Sequence, residues 1–162
     1  MIIILTRDLQ VAGWATTPGS NAGAWGRLVI INTGNQNAAT AQLQLALSHV
    51  APDEPLCLVG HGNDVEIGDA GNDPADWSWT FDDIARLLGG RLQRNHRAPI
   101  LIQSCANTVA NFSAHTAVRL GELRALVGVW LYGYNRPVDV YRTLPNPDTL
   151  GRNVELQGTQ VG

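Results

Sequence analysis

Lysine is absent from this 162-residue chain; all eleven basic residues are arginine. The absence excludes a lysine nucleophile, a Schiff base and a P-loop. Cysteine is nearly as scarce. Cys57 and Cys105 are too few for a disulfide framework, and no Cys-x-x-Cys occurs. Charged residues make up only 15% of the chain, the net charge is −3 and there is no basic run. Nucleic acid and anionic membrane surfaces are therefore excluded as expected partners. No apolar run approaches the roughly 20 residues of a membrane helix. The start, Met1-Ile2-Ile3-Ile4-Leu5-Thr6-Arg7-Asp8, lacks a basic flank, and its apolar run is too short for a signal peptide. We expect a soluble protein of the reducing cytoplasm, or one secreted by a signal-peptide-independent route. A Gly-x-Ser-x-Gly elbow is missing, which argues against an α/β-hydrolase. The acidic stretch 64–76 lacks EF-hand spacing and reads as a solvated loop, so no metal is assigned.

What is present is a globular composition, 44% hydrophobic, enough for one domain with a sizeable core. Short apolar runs at 2–5, 27–32, 56–59, 100–102 and 125–132 predict buried strands. Helical spacing of apolar residues predicts helices over 38–50, from Phe81 to Leu92 behind a Thr80-Phe81-Asp82-Asp83 capping box, and over 113–124 with Ser113 as cap. Residues 10–26 read as a loop carrying Trp14 and Trp25, and 63–79 as a loop or small hairpin. Residues 137–162, broken by Pro137, Pro145, Pro147, Gly151 and Gly158, read as an irregular C-terminal extension with an edge strand near Val154-Glu155-Leu156. Alternating strands and helices imply an α/β fold: a mostly parallel sheet of about five or six strands, covered on both faces in three layers.

Two stretches share one design. Leu56-Cys57-Leu58-Val59 runs into Gly60-His61-Gly62-Asn63. Ile100-Leu101-Ile102 runs into Gln103-Ser104-Cys105-Ala106-Asn107. Residues just past the carboxyl ends of parallel strands are where ligands and chemistry collect. Neighbouring strands lie about 4.8 Å apart, so adjacent placement brings imidazole and thiol to one edge. A histidine beside a cysteine generates the attacking thiolate. Cys57 lies inside its strand and is expected to be structural. His49, near a helix end, and His96 and His115, in or beside helices, are not assigned to the site.

This pattern, strand–His-Gly followed by strand–Gln-Ser-Cys, resembles the clan CD, caspase-like cysteine peptidases. The caspase signature is Gln-Ala-Cys-x-Gly with its histidine about 50 residues earlier; here Ser104 replaces the alanine and no glycine follows. Leu58-Val59-Gly60-His61-Gly62, followed by Asp82-Asp83-Ile84-Ala85, looks closer to the cysteine peptidase domain of MARTX-type bacterial toxins. The resemblance covers roughly residues 56–132. It implies a single caspase-like peptidase domain over 1–162 and a His61–Cys105 dyad with no third member. The resemblance further implies an oxyanion site made by the N–H groups of Gly62 and Cys105. Gln103 would line the pocket for the substrate residue preceding the cut, with Trp130, Tyr132 and Tyr134 as further walls and Arg136 facing an acidic residue. In those toxin domains a C-terminal flap binds inositol hexakisphosphate; here that part looks reduced, and no cofactor is expected. The expected function is a cysteine endopeptidase acting on protein or peptide substrates, as a bacterial effector or self-processing protease. The alternatives are a non-catalytic caspase-like protein-interaction module, and another thiol acyl-transfer activity such as a deamidase.

Overall fold

In the computed structural model, which describes residues 1–106 and 108–162, the chain is an α/β sandwich of three layers. Among the described residues eight strands form, β1 Ile2–Ile4, β2 Leu28–Ile30, β3 Leu56–Gly62, β4 Glu66–Gly68, β5 Ser78–Thr80, β6 Ile100–Ser104, β7 Trp130–Tyr134 and β8 Leu156–Gln160. The central sheet runs β2-β1-β3-β6-β7-β8. The first five of these are parallel and β8 closes the edge antiparallel. Every residue of β1 and β6 is buried, as a strand covered on both faces requires.

The helices are α1 Leu9–Ala15, α2 Ala22–Trp25, α3 Gln36–Ser48, α4 Phe81–Arg91 and α5 Val109–Glu122. Right-handed crossovers decide their side. The chain steps one way from β1 to β2 through α1 and α2, then reverses and steps the other way through α3, α4 and α5. The first pair therefore covers one face and the last three the other, and α4 packs against both α3 and α5. The reversal places a topological switch point between β1 and β3, where α/β sheets open a crevice at their carboxyl edge.

Several elements depart from the sequence expectation. Residues 10–26 hold two short helices rather than a loop. Asp8 starts α1 by accepting a hydrogen bond from the Gln10 N–H at 3.0 Å, and Val11, Ala12 and Ala15 give that helix a buried side despite its sparse apolar content. Helix α5 begins at Val109, four residues before the expected Ser113 cap. Ser113 is fully buried inside it, donating to the Ala110 carbonyl at 3.0 Å. Strand β7 starts at Trp130 because residues 124–128 form a turn, with Arg124, Leu126 and Gly128 at φ of 53°, 54° and 89°. Residues 63–79 form the hairpin β4–β5, pinned to the rest of the chain by its tryptophans. Trp77 donates to the Thr33 carbonyl at 2.8 Å and Trp79 to the Thr40 hydroxyl at 3.0 Å. The C-terminal stretch is more ordered than its prolines suggest. It contains a 3₁₀ helix, Pro147–Arg152, and β8, which starts two residues later than the expected edge strand and overlaps it at Leu156.

The capping box at Thr80 is as expected. The Thr80 hydroxyl accepts from the Asp83 N–H at 3.3 Å, and the Asp83 carboxylate accepts from the Thr80 N–H at 2.9 Å. Among the described residues, no helix is long and apolar enough to cross a membrane.

Candidate active site

Strands β3 and β6 are direct neighbours, with Val59 opposite Gln103 and Gly60 opposite Ser104. Each then delivers one polar side chain past its buried run. His61 Nδ1 lies 3.8 Å from Cys105 Sγ. The other ring nitrogen, Nε2, lies 2.8 Å from Asp8 Oδ2. Asp8 follows β1, the next strand over, so three adjacent strands supply carboxylate, imidazole and thiol to one edge in the order of the sheet. Tyr141 completes the group. Its hydroxyl donates to the same Asp8 oxygen at 2.5 Å, and its ring meets the His61 ring edge-on, with centroids 5.7 Å apart.

The electrostatics follow from these contacts. The hydrogen bond to Cys105 is the main influence on His61; burial opposes it, the hydrogen bond to Asp8 adds to it, and the imidazole is raised from 6.5 to about 9. The same contact with His61 brings the Cys105 thiol below its ordinary value of 9.0, against the effect of burial. Burial also works to raise Asp8, but hydrogen bonds from Tyr141, His61 and the Gln10 N–H outweigh it, and the carboxylate is lowered. In turn, Asp8 pushes the Tyr141 phenol up to about 12. These shifts favour an imidazolium–thiolate pair backed by an ionised carboxylate. Cys57 is the opposite case: it is fully buried, and burial pushes its thiol far up.

Gly62 lies against this pair. Along β3 the N–H groups alternate in direction: Leu56 donates to Pro99 on the β6 side and Cys57 to Met1 on the β1 side. An even number of residues beyond Leu56, Gly62 again faces β6, and its carbonyl oxygen lies 3.7 Å from Cys105 Sγ. A Cβ on Gly62 would come within 2.3 Å of the Glu66 carbonyl oxygen and 2.6 Å of Ser104 Oγ, so only glycine fits. Ser104 Oγ is itself buried and, among the described residues, without a hydrogen-bond partner.

A cavity of about 610 Å³ opens beside the sulfur, lined by Gly62, Asp64, Val65, Ala106, Pro137 and Val138 together with Cys105. One wall comes from the turn into β4, the other from the chain leaving β7, which bridges back to Ala106 through Val138. Asn107, part of the motif read in the sequence, lies outside the described residues.

The other sequence-predicted residues are placed as follows. Gln103 is fully buried; its amide donates to the Arg142 carbonyl at 3.1 Å and its oxygen accepts from the Tyr134 hydroxyl at 3.2 Å. Tyr134 is buried beneath the Arg142 guanidinium, 4.6 Å from its ring centre. Trp130 opens β7, one residue before the partner of Ile100, and so sits at the end of the sheet remote from Cys105. It stacks on Tyr132 with centroids 6.2 Å apart. Arg136 is exposed and paired with Glu155. Of this set, Gln103 and Tyr134 are joined directly and both meet Arg142, and none of the five lines the cavity beside the thiol.

Sequence reasoning passed over Asp8 and Tyr141. A signal for Asp8 existed: it follows an apolar run just as His61 and Cys105 do, next to the switch point. Tyr141 carried no comparable signal, because it reaches Asp8 across 133 positions from a segment without periodicity. The acids of 64–76 prove structural in part. Asp69 and Asp76 hold Arg7, and Asp64 accepts from the Thr108 N–H at 3.0 Å, at the start of α5.

No family model matches the chain, and no curated protein matches it.

Proposed function

We propose that the chain is a cysteine endopeptidase of the caspase-like, clan CD kind, with Cys105 as nucleophile and His61 as its acid–base partner. The observation that carries this reading is the thiol 3.8 Å from an imidazole whose far nitrogen is held by Asp8. A nucleophile, a base and a group that orients the base are the parts that thiol acyl transfer needs. The dyad expected from the motif thus becomes a triad in arrangement.

In the reaction, Cys105 thiolate attacks the scissile carbonyl carbon, forming a C–S bond while the carbonyl π pair moves to oxygen. The N–H groups of Gly62 and Cys105 are the donors for that oxyanion. Collapse of the tetrahedral species breaks the C–N bond, and His61 gives its proton to the departing amine. A water molecule then attacks the thioester as His61 takes its proton. The C–S bond breaks, the acid product leaves, and the imidazolium–thiolate pair is restored. Asp8 remains ionised throughout, fixing the ring and stabilising the imidazolium.

Incubation with a proteome-derived peptide mixture tests the reading. Wild type is expected to generate new peptide termini, Cys105→Ala none, and His61→Ala fewer by about 10² to 10⁴-fold, the range for removal of a general acid–base. Cleavage that survives in Cys105→Ala contradicts the assignment. Release of ammonia from glutamine side chains with no new termini would identify a deamidase instead.

A further inference from the structure

Apart from Cys105 itself, the cavity beside the sulfur has one charged lining residue among the described residues. Gly62, Asn63, Val65, Ala106, Pro137 and Val138 are neutral, and Asp64 is the exception. Its carboxylate is fixed in place, because Oδ1 accepts the Thr108 N–H at 3.0 Å. Of the other acids near the site, Asp8 holds His61 and Tyr141, Asp69 and Asp76 are paired with Arg7, and Glu155 with Arg136 and Arg142. Asp139, beside Val138, accepts the Tyr141 N–H at 2.8 Å and does not line the cavity. Among the described residues, no arginine pairs with Asp64, and the chain contains no lysine. Arg136, the group expected to select an acidic substrate residue, is itself held by Glu155.

We infer that this cavity is the subsite for a basic side chain of the substrate, an arginine or lysine adjoining the scissile bond, and that Asp64 is the residue that selects it. The inference rests on the peptidase reading above. Arginine and lysine have an apolar stem and a cationic head, and they bury the first while keeping the second among polar partners. Val65, Pro137 and Val138 supply apolar wall for the stem. The Asp64 carboxylate supplies a charge-assisted acceptor for the head. A carboxylate held by a backbone N–H does not have to be ordered on binding, which lowers the cost of recognition. The same charge disfavours an acidic residue at that position, so selection works by attraction and repulsion together. The wall is formed by the turn after the catalytic histidine, which places the selecting charge two residues from Gly62 and on the same side of the sheet edge as the thiol.

The test is to map the cleavage sites of wild type and Asp64→Asn in a peptide library that varies residues on both sides of the cut. Asparagine still accepts the Thr108 N–H, so the variant removes charge while retaining the contact that starts α5. Wild type is expected to cut bonds with arginine or lysine on one side, and Asp64→Asn to lose that preference by about tenfold or more, the scale of one hydrogen bond to a charged group. A wild-type profile without basic preference overturns the inference by itself, even if the variant fails to fold. So does a basic preference unchanged in Asp64→Asn. Both results leave the peptidase reading standing if cleavage depends on Cys105. An absence of Cys105-dependent cleavage removes both.

Discussion

Asp8 divides its two carboxylate oxygens between two tasks. Oδ1 accepts from the Gln10 N–H and starts α1; Oδ2 takes Nε2–H of His61 and the Tyr141 hydroxyl. Asp8→Asn keeps the first contact and weakens the second. The alkaline limb of the rate profile is expected near pH 9 in wild type, where the imidazolium loses its proton. The sign follows from the raised value: His61 stays protonated above its ordinary 6.5 until pH approaches about 9. In Asp8→Asn one contributor to that rise is removed, so the limb moves to lower pH. A limb at the same pH in both proteins would show that Asp8 has no hold on the ring. The two thiols should also separate chemically. Iodoacetamide on the folded protein, read by mass spectrometry, is expected to modify Cys105 first, because its thiol is lowered by His61 while burial pushes Cys57 up. Preferential modification of Cys57 would contradict the site. His61 and Cys105 were legible in the sequence because each ends an apolar run with a polar residue of distinctive chemistry. Asp8 ends such a run as well, but an aspartate after a strand has many structural uses, and here it serves one of them by capping α1.

The hairpin and helix that flank the thiol are positioned by residues with little freedom to change. Gly62→Ala would put a methyl 2.3 Å from the Glu66 carbonyl oxygen, which is backbone and cannot swing aside. We expect a loss of about 1–3 kcal/mol, the scale of overpacking at a tight site. In a domain of this size that lowers Tm by several degrees, and the displaced β4 turn would also cut activity. An unchanged melting curve would mean that the turn after His61 yields easily. Strands β3 and β6 were readable from composition because continuous apolar runs have few other uses. Helix α1 was not, since its buried side rests on Val11 and two alanines within a glycine-rich stretch. The start of β7 was displaced by the turn 124–128. There Arg124 and Leu126 adopt left-handed backbone, a conformation that neither residue type signals.

At the scale of the whole molecule, strand order turns three separated motifs into one site. Because β1 lies between β2 and β3, and β3 between β1 and β6, the residues that leave β1, β3 and β6 meet at a single edge. The parallel character of the sheet could be read from the alternation of strands and helices. The order of its strands could not, and with it went the adjacency of Asp8 to His61. The chain after β7 then returns over this edge. Tyr141 reaches Asp8, Arg142 receives Gln103, the Leu144 carbonyl accepts from Asn21, and Trp25 donates to the Pro145 carbonyl at 2.8 Å. The C-terminal stretch is thereby part of the site's architecture, which its proline-rich composition concealed. The central claim, that this edge hydrolyses peptide bonds through Cys105, is tested most directly by running the reaction in ¹⁸O-labelled water. Wild type is expected to produce peptides with one ¹⁸O in each newly formed C-terminal carboxylate, and Cys105→Ala to produce none. New termini that appear equally with Cys105→Ala, or label found in side chains of uncut peptides, would contradict it.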